Sequence, residues 1–229
     1  MNRKTNTAQL ENGGASNAAR QTLYLAAAIS TVFGVLYLLG LAGKFIVDGS
    51  IHSVSAPAVQ MVSAAIGLLW DITLVILFAA LRRQVPEKGS FFAELGLIFM
   101  VLLGAASSIN WYVQLALVPR IAQTDNQALL ALVDIHGDSS IMYAIEHLAW
   151  GLFYGLATIF MGLAIDGGKL GTWIRWLLVV GGVLSILHVF GIIFNIHLLL
   201  DLGYLAAGVL LPITTLLMAI GNRKSGIGN

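Results

Sequence analysis

An all-α integral membrane protein, a bundle of six transmembrane helices, is predicted from three observations. The chain holds six long apolar runs, it is 58% hydrophobic against 10% charged, and what lies between the runs is too short to fold separately. Soluble domains carry about 25% charged residues, so this composition belongs to a chain dissolved in lipid. The runs cover residues 21–43, 57–81, 91–118, 140–163, 172–196 and 198–220. Each is long enough to cross a hydrocarbon core of about 30 Å at about 1.5 Å per residue. In lipid a helix satisfies its own backbone polar groups, which an isolated strand cannot do.

The first twenty residues are polar, rich in Asn, Ala, Gly and Gln, and lack the apolar segment of a cleavable signal. They are expected to form a disordered tail, with 21–220 as one transmembrane domain and 221–229 as a second tail. The second span is bounded by Arg82 and Arg83, and Pro86 and Gly89 mark the turn into the third. Ser90 is the expected N-cap there, and Thr172 the expected N-cap of the fifth span after Asp166-Gly167-Gly168. Between the third and fourth spans, Thr124 and Gln127 have capping-box spacing ahead of the apolar residues 128–133, and Gly137 is placed to end the turn. A short helix is expected there on the membrane face, a candidate lid. Trp173 and Trp176 at the start of the fifth span suit the interfacial aromatic belt. Gly151 with Gly155, and Gly203 with Ala207, have the spacing of close helix contacts, and Pro212 is expected to kink the sixth span.

Ten of the twelve Lys and Arg residues flank the runs on one side, leaving only Lys44 and Arg120 for the other. The positive-inside rule then places both termini in the cytoplasm. A formal net charge of +1 gives no reason to expect nucleic acid as a partner. With no cysteine, disulfides, thiolate catalysis and Cys-ligated metal centres are excluded.

Polar residues within the runs carry the functional information, because a charge at the bilayer centre costs at least about 2.5 to 3.5 kcal/mol. The fourth run holds Tyr143, Glu146, His147, Trp150 and Tyr154 at spacings that share one helix face. The third presents Ser107, Asn110, Trp111 and Gln114; the fifth Ser185, His188 and Asn195; the sixth Asp201 and Tyr204. Trp70 and Asp71 stand among apolar neighbours in the second. Counted inward from the outer ends, Glu146, His147, Asn110 and His188 lie at about 9 to 12 Å, while Asp71 and Tyr154 lie near 21 Å. These depths predict an outward-facing pocket lined by Asp71, Asn110, Trp111, Glu146, His147, Trp150, Tyr154 and His188. Its lower end would be closed by the apolar inner halves of the helices, which argues against a continuous pore.

Aromatic faces beside carboxylates favour a small cationic or amphipathic solute, with Glu146 and Asp71 linking occupancy to protons. The alternative is a membrane-embedded enzyme in which Asp71 or Glu146 is the catalytic acid acting on a lipid-like or isoprenoid substrate. A structural or assembly role, with polar stripes only locking helices, is the third reading. A metal set from Glu146, His147, His188 and Asp71 ranks below the acid site, since neither HExxH nor HxxxH occurs. Haem ligation by His147 and His188 is the remaining cofactor reading. Substrate, cofactor and oligomeric state are left open by the residues.

The stretch Ile109-Asn110-Trp111-Tyr112-Val113-Gln114-Leu115, followed by a helix carrying Glu146, resembles a pattern in small multi-spanning membrane proteins of bacteria. That resemblance covers about residues 100–165 and implies six helices in a bacterial inner membrane, with no assigned reaction. Trp70-Asp71 resembles the Trp-Glu pair of membrane-bound terpene cyclases, which have seven helices.

Overall fold

A computed structural model describes residues 3–48, 57–124, 126–137 and 140–225. Asp125, Asp138 and the last four residues of the C-terminal tail lie outside that description. All regular structure among the described residues is helical. The helices are α1 (Arg3–Asp48), α2 (Pro57–Arg82), α3 (Ser90–Ala116), α4 (Val118–Ile121), α5 (Gln127–Val133), α6 (Ile141–His147), α7 (Tyr154–Ala164), α8 (Gly168–Phe194), α9 (His197–Tyr204) and α10 (Leu211–Ser225). Two π-helical segments, Leu148–Phe153 and Leu205–Leu210, join α6 to α7 and α9 to α10.

Six stretches are long and apolar enough to cross a membrane: Asn17–Gly40, Val59–Arg82, Glu87–Ile121, Ile141–Ala164, Gly168–Phe194 and His197–Asn222. Each overlaps one expected run. The backbone of α1 is helical from Arg3, ahead of its apolar part and across the polar stretch read above as a tail.

Caps differ from expectation at three places, each for a local reason. Gly89, not Ser90, occupies the N-cap of α3, and the side chain of Ser90 lies within the helix. Gly167 and Gly168 take φ of +113° and +54°, a left-handed turn open to glycine, so α8 begins at Gly168. Thr172 is therefore inside the helix and donates back to the Gly168 carbonyl (3.0 Å). Asn126 rather than Thr124 caps α5, accepting from the Leu129 N–H (3.1 Å), while Thr124 donates to the Ile121 carbonyl. The short helix expected there is present, seven residues and about two turns long beyond its cap.

Packing follows chain order. Each span lies against its sequence neighbours, and the first closes on the sixth, so the six form a ring. The second and fourth spans face each other across its interior through tryptophan rings rather than by helix contact. Trp70 lies 5.4 Å from Trp150, which lies 5.5 Å from Tyr154, and Tyr37 of α1 completes the group 5.9 Å from Trp70. Toward the face that carries the chain ends, the interior is filled by fully buried Leu74, Leu77, Phe78, Met100, Leu103 and Met161.

Small residues set the seams, as their spacing predicts. A Cβ on Gly182 would fall 2.5 Å from the Gly155 carbonyl oxygen, and one on Gly151 2.3 Å from Val189. The fourth and fifth spans thus meet backbone to backbone. Pro212 packs on Gly34, whose added Cβ would lie 2.3 Å from the ring. Ahead of it the sixth span winds as a π-helix, and Thr214 and Thr215 donate to the carbonyls of Leu210 and Pro212 (2.7 and 3.1 Å).

Candidate functional site

The polar residues of the fourth span divide into two clusters, because Glu146 and His147 are consecutive and point about 100° apart on a helix. Glu146 turns toward α3. Its Oε2 accepts from the Asn110 amide (2.7 Å) and the Ser107 hydroxyl (3.1 Å), and Ser107 in turn accepts from the Trp150 indole N–H (3.1 Å). Ser107 and Asn110 have no exposed surface; Glu146 and Trp150 are partly buried. A carboxylate holding amide and hydroxyl donors from a neighbouring helix ties the third span to the fourth.

His147 turns toward α8. Its Nδ1 lies 2.7 Å from Nε2 of His188, and His188 Nδ1 lies 2.7 Å from the Leu200 carbonyl oxygen of α9. Tyr143, one turn earlier, meets the His147 ring edge-on with centroids 4.1 Å apart. His188 is nearly enclosed, with a Gly203 Cβ position 2.7 Å from its ring, so Gly203 serves the imidazole as well as the seam. Glu146 and His147 have no hydrogen bond to each other; each pairs with another span.

Asp71 behaves differently from both. It has no exposed surface, and neither oxygen has a well-aligned hydrogen bond, although the Ser107 hydroxyl is close enough to act on it as a donor and Glu146 to act on it by charge. Tyr154, counted to the same depth, makes no hydrogen bond to it. Tyr154 lies on the fourth span, and its ring is tilted against Trp150 at 5.5 Å. Trp70 and Trp111 also hold buried indole N–H groups with no partner. Trp111 packs on α2 where a Gly67 Cβ would come within 2.5 Å of it, one turn from Asp71. Two unpaired indole donors and one unpaired carboxyl therefore share the interior edge of the second span.

Of the eight lining residues named from the sequence, Asn110, Glu146 and Trp150 are brought together through Ser107, and His147 with His188. The Trp150 ring lies between those of Trp70 and Tyr154, tilted to both, and Trp111 packs on α2 one turn from Asp71. Asn195 is not among them: it ends α8 in the left-handed conformation (φ +53°) and is exposed. The four residues weighed as a metal set do not converge, and no group of three His, Asp or Glu among the described residues has metal-site geometry. His147 and His188, weighed as a haem pair, are hydrogen-bonded directly to each other at 2.7 Å.

Sequence reasoning missed Tyr37, Trp70 as a ring partner, the Leu200 carbonyl and both π-segments. The available signal for Tyr37 was a tyrosine well inside the first apolar run, away from the end where Tyr24 lies. Nothing in the residues marks a π-turn, whose i→i+5 bonds begin directly after His147 and directly after Tyr204. Such turns are frequent at functional sites.

Fold and composition define a multi-pass membrane protein with an enclosed polar and aromatic centre. Comparison with protein-family models, with curated proteins and with solved structures finds no match.

Proposed function

We propose that the chain binds or handles a small cationic or amphipathic solute at the interior edge of α2, with Asp71 as its anionic contact. The observation that carries this reading is the fully buried Asp71 carboxyl without a well-aligned hydrogen bond, beside the unpaired indoles of Trp70 and Trp111. An unpaired carboxylate in hydrocarbon is costly, and a ligand cation or donor offsets that cost. Tryptophan faces add cation–π attraction. Asp71 and Glu146 interact electrostatically, so two charges there oppose each other and cation binding is linked to proton release. Asn110, Ser107 and Trp150 hold Glu146 in place, and His147 with His188 border the same level. In this reading the protein lies in a bacterial inner membrane with cytoplasmic termini and the site toward the outside, and lipid is its surrounding partner.

The direct experiment is native mass spectrometry of the purified full chain. A co-purifying polar solute that is lost in Asp71→Asn supports the reading; a solute retained by that variant defeats it. For orientation, a chain without cysteine suits single-cysteine labelling. Gln127→Cys should react with an impermeant maleimide from outside, and Glu87→Cys should not.

The second reading, acid catalysis on a lipid-like or isoprenoid substrate, draws on the same carboxyl: a protonated Asp71 beside tryptophan faces fits a proton donor to an alkene. A bound lipid precursor in place of a polar solute favours it. The structural reading accounts for Glu146, which is fully engaged, and least well for Asp71.

A further inference from the structure

The hydrogen bonds around His188 fix where the only open nitrogen lone pair of the histidine pair lies. A carbonyl oxygen only accepts, so His188 Nδ1 must carry a proton toward Leu200 (2.7 Å). In an uncharged ring Nε2 is then an acceptor, and the group that faces it, His147 Nδ1 at 2.7 Å, must be the donor. An uncharged His147 is left with an unprotonated Nε2. That atom has no partner among the described residues and is not among the buried unpaired groups, while the ring it belongs to is only partly buried. The geometry is rigid on the far side: Gly203 leaves no space beside His188, and the edge of Tyr143 abuts His147.

We infer that His147 Nε2 is a hydrogen-bond-accepting subsite for a hydroxyl or N–H group of the solute, with His188 and the Leu200 carbonyl as the positioning groups that set its tautomer. This rests on the ligand reading above and adds to it. A solute suited to both ends carries a cation for Asp71 and the tryptophans and a donor for His147.

Histidine-selective nitrogen-15 NMR of the full chain in detergent tests the tautomers, with signals assigned by single His→Gln substitution. The expected spectrum has His147 and His188 both protonated at Nδ1 and unprotonated at Nε2. In His188→Leu the His147 signals should redistribute between tautomers, whereas His188→Gln, which keeps an acceptor, should preserve them. A wild-type His147 protonated at Nε2, or one unaffected by His188→Leu, overturns the assignment.

The depths counted above set Asp71 about 9 to 12 Å from His147, so 8-amino-1-octanol, an amino alcohol long enough to span that separation, is the probe for the contact. Tryptophan fluorescence reports whether it binds at all, and the His147 Nε2 resonance reports whether it is bound there. A shift of that resonance that saturates with the fluorescence change supports the inference. A fluorescence change with no shift at His147 overturns it and leaves the ligand reading standing; no change in either, with this amino alcohol or with a co-purified solute, overturns both.

Discussion

The Asn110 amide donates to the Glu146 carboxylate across 2.7 Å, joining the third span to the fourth at one level inside the bundle. Ser107 and the Trp150 indole extend the contact along the seam. Asn110→Leu should remove a charge-assisted donor and destabilise the fold by about 1 to 3 kcal/mol. Thermal unfolding in detergent measures it, and an unchanged midpoint would show that the bond contributes nothing.

Asp71 should give the opposite result. Because its carboxyl has no well-aligned hydrogen bond, Asp71→Leu is expected to leave stability unchanged or raise it by about 1 to 3 kcal/mol, while abolishing solute retention. Unfolding and native mass spectrometry on the same sample separate the two effects. A strongly destabilised variant would mean that the carboxyl serves the fold.

Gly182→Ala should be costly despite adding one methyl. The new Cβ would sit 2.5 Å from the Gly155 carbonyl oxygen, so the fourth and fifth spans must separate. A loss of about 1 to 3 kcal/mol is expected from such overpacking. The same change at Gly40, where nothing lies within 4 Å, is the control and should be neutral.

Gln114 grips the connection after the third span. Its side chain donates to the Val133 carbonyl (2.7 Å) and accepts from the Ile135 N–H (3.3 Å), while Ser140 donates to Leu132 (3.2 Å). Gln114→Leu is predicted to raise amide exchange in residues 129–137 several-fold without changing exchange in α3. Equal exchange in both proteins would show that α5 is held by other contacts.

On the opposite face Lys88 is hydrogen-bonded to Asp166 and holds its carboxyl below the usual carboxylate range. A depressed folded-state value means that any contribution of this exposed pair is present at neutral pH and lost as pH falls through that value. Lys88→Met should return Asp166 toward ordinary titration, followed by carboxyl NMR, with little effect on unfolding. An unchanged Asp166 titration would assign the depression to the Gly167 backbone instead.

Much of the centre was legible from depth along the helices. Asn110 and Glu146, counted to within about 3 Å of each other, are bonded, and so are His147 and His188. Facing was less legible. One stripe on the fourth span suggested a single lining, but consecutive residues diverge, and Glu146 and His147 address different neighbours. Asp71 and Tyr154 share a depth yet do not meet, because depth says nothing about which spans adjoin.

The sequence by itself determined the class of this protein: apolar length and the need to satisfy backbone groups within each span leave a helical bundle of six. It also determined which side chains are costly in lipid, and hence where to look. Only the tertiary structure decided that the spans close into a ring in chain order, that Glu146 accepts from Asn110 and Ser107 while Asp71 has no well-aligned hydrogen bond, and that two π-turns follow His147 and Tyr204. Those outcomes depend on rotation and register between helices, set by contacts such as Gly155 on Gly182 and Trp111 on Gly67. Such contacts involve pairs far apart along the chain, and no local pattern encodes them.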